Sequence, residues 1–158
     1  MSKVQEICFD FDGVLYTYES GWQGLTNLVD PPVEGALDFI RECFAQGFNV
    51  TIWSMRTANE RYLEGDNVNG YLFSPERDQG IKAIQKWLLY WGLEPDLVSR
   101  IGFPFGKSFY TLIVEDRGFR FRGKDYPDIT DKSLLESWME SPSAKEYLRK
   151  TRIARMQG

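Results

Sequence analysis

The chain contains no histidine, and that absence excludes several chemistries at once. No imidazole is available for a Ser-His-Asp triad, a Cys-His pair or a His-ligated zinc. Two cysteines are too few for a Cys₄ zinc site. Cys8 and Cys43 stand 35 positions apart in apolar surroundings, the pattern of reduced core thiols. No apolar run approaches the roughly 20 residues of a membrane span. Met1 to Phe9 lacks the basic and long apolar regions of a signal peptide. A cytoplasmic location without a membrane partner is therefore expected. If the chain is an enzyme, carboxylates, Lys, Arg, hydroxyls or a hard metal must do its work.

What is present argues for one globular domain. The 158 residues are 42% hydrophobic and 15% aromatic, enough for a single core. The formal charge of −4 is unevenly spread. Residues 141–158 carry +4, leaving −8 for the rest. This divides the chain into an expected domain over 1–140 and a basic helix or tail over 141–158. The acidic body argues against a general nucleic-acid binder.

Apolar patterning predicts alternating strands and helices. Val4 to Phe9 and Phe48 to Trp53 read as buried strands. Val33 to Gln46 reads as a helix, with Ala36, Leu37, Ile40, Cys43 and Phe44 on one stripe and Gly47 as its stop. Pro75 to Trp91 reads as another, with Ile81, Ile84, Trp87, Leu88 and Trp91 three or four apart. Leu97 to Phe103 and Tyr110 to Val114 are expected as strands, Phe119 to Arg122 as an edge strand, and Asp131 to Met139 as a helix. This order implies an α/β fold with a parallel sheet covered on both faces. Ligands bind such sheets beyond the carboxyl ends of the strands.

Chemistry-bearing residues gather at those ends. Asp10 and Asp12 follow the first strand, Ser54, Met55 and Arg56 the second, and Glu115 and Asp116 the fourth. Lys107 precedes that fourth strand. Carboxylates crowded together either raise a pKa or demand a cation. Mg²⁺ takes oxygen ligands and keeps waters and substrate phosphate. One carboxylate is a competent nucleophile toward phosphorus, and a second can move a proton. Ser54 and Lys107 would bind phosphoryl oxygens.

These residues carry a resemblance. Phe9-Asp10-Phe11-Asp12-Gly13-Val14-Leu15 resembles the first motif of the haloacid dehalogenase superfamily, D-x-D-G-x-L after an apolar strand. Val50 to Ser54 is similar to its second motif, and Ile113-Val114-Glu115-Asp116-Arg117 to its fourth. Lys107 stands where small members place the third-motif lysine, with Lys82 and Lys86 as competitors. The resemblance spans residues 4–125 and implies a Rossmann-like three-layer α/β/α sandwich. It implies Asp10 as nucleophile and metal ligand, and Asp12 as general acid/base with its carbonyl on the metal. Ser54 and Lys107 are implied on the phosphate, with Met55 and Arg56 beside them. Asp116, with Glu115, is implied as a holder of Mg²⁺.

Neither the stretch from Asp12 to the first helix nor that from Ser54 to the next has room for a cap domain; each is about 20 residues. An open site is expected, with Tyr16, Tyr18 and Trp22 either as a flap or packed on the body. The expected activity is Mg²⁺-dependent phosphomonoester hydrolysis through an aspartyl-phosphate. Expected partners are a phosphorylated small molecule, such as a nucleotide or sugar phosphate, or a nucleic-acid end, with a second copy of the chain left open. The alternative is a non-hydrolytic module that accepts phosphoryl groups or binds metal.

Overall fold

The computed structural model describes residues 5–57, 75–104, 112–116, 123, 124 and 130. Among the described residues, three strands form a sheet: β1 (Glu6–Phe9), β2 (Asn49–Ile52) and β3 (Leu112–Val114). Their order is β2-β1-β3, and both pairings are parallel. Phe9 lies opposite Ile52 on one side and Val114 on the other. The first strand of the chain is thus central. The connections after it run first to one side and then to the other, which makes its carboxyl end a topological switch point.

The helices among the described residues are α1 (Ala36–Ala45), α2 (Pro75–Tyr90) and α3 (Pro95–Arg100). Helix α1 buries Ala36, Ile40, Cys43 and Phe44, four of the five residues on the expected stripe. It ends where Gly47, at φ 84°, takes the left-handed conformation that lets the chain turn back into β2. In α2, Ile84, Trp87 and Leu88 are buried, whereas Trp91, just beyond its end, is 41% exposed. Side chains from β1, β2, α1 and α2 share one core with Leu93, Val98 and Ile101.

One expected strand is corrected. Within Leu97 to Phe103, residues through Arg100 belong to α3, and only Gly102 pairs, through a parallel bridge to Thr51. Pro95 occupies the start of α3, where its missing N–H costs nothing, and Asp96 favours the positive end of the helix. Short apolar runs do not by themselves separate strand from helix. The strand read over Phe119 to Arg122, the helix over Asp131 to Met139 and the boundary at residue 140 lie outside the described residues.

The stretch from Tyr16 to Pro32 is a packed loop. Tyr16 bridges both Asp12 and Pro32. Its ring stacks on Phe11 at 5.3 Å and meets Trp87 edge-on at 5.6 Å. Its hydroxyl accepts the backbone N–H groups of Val29 and Asp30, and Trp87 Nε1 donates to the Asp30 carbonyl. The Asp30 carboxylate accepts from the Ser20 amide and hydroxyl. Tyr16 and Tyr18 are therefore buried anchors, and of the two roles weighed for them the flap is set aside. Among the described residues, no helix is long and apolar enough to cross a membrane.

Candidate active site

The candidate site begins where β1 ends. The Asp10 amide donates to the Val114 carbonyl at 2.9 Å, fixing the end of β1 against the end of β3. That contact brings Glu115 and Asp116 to Asp10, although 105 positions separate Asp10 from Glu115. Asp10 Oδ1 accepts the Phe11 N–H at 2.7 Å. Burial pushes the Asp10 carboxyl up to about 7, and the charges of Asp116, Asp12 and Glu115 push the same way. The Phe11 hydrogen bond opposes them.

Asp12 is held differently. Gly13, at φ 82°, lets the chain turn sharply after it. Behind that turn the amides of Val14, Leu15 and Tyr16 converge on the Phe11 carbonyl. The Asp12 carboxylate accepts from Arg56 Nε at 2.9 and 3.1 Å and from Nη2 at 2.8 Å. Burial raises the Asp12 pKa, and the hydrogen bonds and charge of Arg56 pull it back down.

Arg56 is the most enclosed polar group near the site, with no exposed surface. Its Nη1 donates to the carbonyls of Gly24 and Leu25 at 2.8 and 3.1 Å. The guanidinium lies 4.4 Å from the centre of the Trp22 ring and 5.6 Å from that of Tyr16. A buried guanidinium needs such partners, because each unpaired donor would cost the full desolvation of that group. Arg56 was expected beside the phosphate; here its donors face Asp12 and the loop.

A 3₁₀ turn, Met55–Thr57, presents this arginine. Ser54 caps the turn: its Oγ accepts the Arg56 amide at 3.2 Å, and its carbonyl accepts from Thr57 Oγ1 at 2.9 Å. Met55 is 59% exposed. The turn rests directly on α2. A Cβ placed on Gly80 would fall 1.9 Å from the Arg56 carbonyl oxygen, so only glycine fits there. Arg77, buried on the same helix, donates to the carbonyls of Thr57 and Phe103.

The structure thus brings Asp12, Glu115 and Asp116 within electrostatic reach of Asp10, and Ser54 and Arg56 into one turn. Lys107 lies outside the described residues, as does Arg117. Lys82 and Lys86 are exposed on α2, with Lys82 paired to Asp78 at 2.8 Å. Sequence reading passes over Gly80 and Arg77. Gly80 carried a usable signal, since a glycine inside a helical stripe often marks close approach. Arg77 carried none.

The donor chemistry here is all oxygen, which suits a hard divalent cation. The crowded charge around Asp10 is also what such a cation relieves. Among the described residues, however, no three such side chains already converge as a cage. No family model, curated protein or solved structure matches the chain.

Proposed function

We propose that the chain is a Mg²⁺-dependent phosphomonoesterase of the haloacid dehalogenase type, on a Rossmann-like three-layer sandwich without a full cap domain. The observation that carries this reading is the placement of Asp10. It stands at the switch point of a parallel sheet, largely buried, with other carboxylates around it and an amide to orient it. Mg²⁺ held by Asp10, Asp116, Glu115 and the Asp12 carbonyl would neutralise charge on the nucleophile and the phosphoryl oxygens.

The chain's own residues then divide the work. An Asp10 carboxylate oxygen attacks phosphorus as the ester P–O bond breaks. Asp12 gives its proton to the leaving oxygen, yielding the free alcohol and an aspartyl-phosphate. Water next attacks that phosphorus, Asp12 takes a proton from it, and the bond to Asp10 breaks to release phosphate. The Ser54 hydroxyl, positioned by the Arg56 amide, donates to a phosphoryl oxygen, and Lys107 balances charge. Arg56 orients Asp12, since its guanidinium engages both carboxylate oxygens.

That engagement also favours a second reading. An Asp12 locked by Arg56 would leave Asp10 as a phosphoryl acceptor without efficient hydrolysis. Turnover of p-nitrophenyl phosphate with Mg²⁺ separates the two. Hydrolysis should be steady in the natural chain and lost in Asp10→Asn and Asp12→Asn. Undiminished turnover in Asp10→Asn would sink the mechanism. A stable phosphorylated chain after treatment with a small phosphodonor, without steady turnover, would select the second reading.

A further inference from the structure

A groove away from the Asp10 carboxylate runs between α2 and residues Thr26 to Val29 of the packed loop. Its helical wall presents Lys82, Lys86 and Tyr90, spaced four apart and so stacked along one face. Tyr90 is 81% exposed, and its ring meets that of Trp91 edge-on at 5.3 Å. Isolated exposed aromatics need no explanation, but an exposed aromatic pair continuing a lysine row does. Thr26 and Asn27, both exposed, put polar groups on the opposite wall.

We propose that this groove binds single-stranded nucleic acid. Three observations select that occupant. The lysines are available to an anion: Lys86 has no ion pair among the described residues, and the exposed Lys82–Asp78 pair is of the weak surface kind. Tyr90 offers a flat, open face on which a base can stack, as sequence-tolerant strand binders require. The helical wall from Gln79 to Tyr90 also runs about 16 Å at 1.5 Å per residue. That is several nucleotides at the roughly 3.4 Å stacked rise, more than a single phosphate or mononucleotide would use.

The opposite wall is preformed. Arg56 holds the carbonyls of Gly24 and Leu25 just before it, and Tyr16 and Trp87 hold Val29 and Asp30 at its end. Little ordering is left to do on binding, which favours affinity. The chain's net charge of −4 works the other way, so binding belongs to the micromolar, salt-sensitive regime. The inference concerns binding alone and is independent of the hydrolase reading.

The test is fluorescence anisotropy of a labelled, unphosphorylated oligo-dT with the full chain, in EDTA and low salt. Micromolar binding that weakens steeply with added NaCl is expected. The Lys82→Glu/Lys86→Glu double variant should bind at least about tenfold more weakly. Tyr90→Ala should lose about tenfold, with Tyr90→Phe close to the natural chain. Circular dichroism melts should match throughout, since all three side chains are exposed. No binding at low salt overturns the proposal. So does binding undiminished by the lysine changes, which would place the contact elsewhere on the chain. Equal binding by Tyr90→Ala and the natural chain would reduce the site to plain charge attraction and overturn it as well.

Discussion

Asp10 and Asp12 stand two residues apart on one turn and live in opposite surroundings. Asp10 faces other carboxylates across the β1–β3 pairing, and its nearest donor is one backbone N–H. Asp12 faces an arginine that offers it two nitrogens and that is itself sealed by an aromatic and two carbonyls. One side of the crevice gathers carboxylates; the other pairs a carboxylate with a guanidinium. Two like groups acquire separate duties when their environments differ in this way. Under the proposed function, the acidic side would take a cation and an electrophile, and the Arg56 side would keep one carboxylate aligned.

The Arg56 side should break hardest. Arg56→Ala would strand a buried Asp12 and release Gly24 and Leu25, costing about 3–5 kcal/mol by urea denaturation. Arg56→Ala/Asp12→Asn should recover part of that loss, because no buried charge is then left unpaired. Equal destabilisation in the single and double variants would show that the pair is not the source.

The acidic side should respond to pH instead. In EDTA, the folded chain keeps a proton on Asp10 up to about pH 7, whereas an unfolded chain sheds it near 3.8. Its contribution is therefore greatest below the unfolded value and is lost as pH rises toward 7, by up to about 4 kcal/mol. Asp10→Asn should flatten this slope and melt higher than the natural chain at pH 8. Mg²⁺ at a hundred times its Kd should restore about 2.7 kcal/mol to the natural chain and nothing to Asp10→Asn. A pH-independent melting temperature in EDTA would contradict the crowded-charge description.

Smaller changes sharpen the contrast. Gly80→Ala gains about 1 kcal/mol of helix propensity but drives a methyl into the Arg56 carbonyl. A net loss of about 1–2 kcal/mol is expected, measured by thermal melting. A more stable Gly80→Ala would mean that the 3₁₀ turn yields easily. Trp22→Leu removes the ring over the guanidinium and should cost about 0.5–1 kcal/mol, with the Asp10 pH slope unchanged. A changed slope would couple the two sides.

The strands and long helices were legible because their apolar spacing matches their period. The spacing of Asp10 and Asp12 was legible for the same reason: position on a strand end follows from sequence. What escaped was mostly long-range. Arg56 reads in sequence as a phosphate ligand, a solvated surface charge or the partner of an acid; the structure pairs it with Asp12, and its burial beneath loop carbonyls 31 and 32 positions earlier is what sequence does not announce. Tyr16 and Tyr18 look like mobile loop aromatics, because nothing local announces that Phe11 and Trp87 wait for the first of them. Gly80 hints at a close approach, but that its neighbour is the turn at Arg56, 24 positions earlier, appears only in the fold. The helix at Pro95 has a Pro-Asp start, but its short apolar run fits a strand equally well.

The central place of β1 also sets an order of assembly. In a chain made from its amino end, Asp12 and Arg56 are synthesised 59 or more positions before Glu115 and Asp116. The guanidinium clasp is therefore available to the nascent protein before the other carboxylates of the crevice exist.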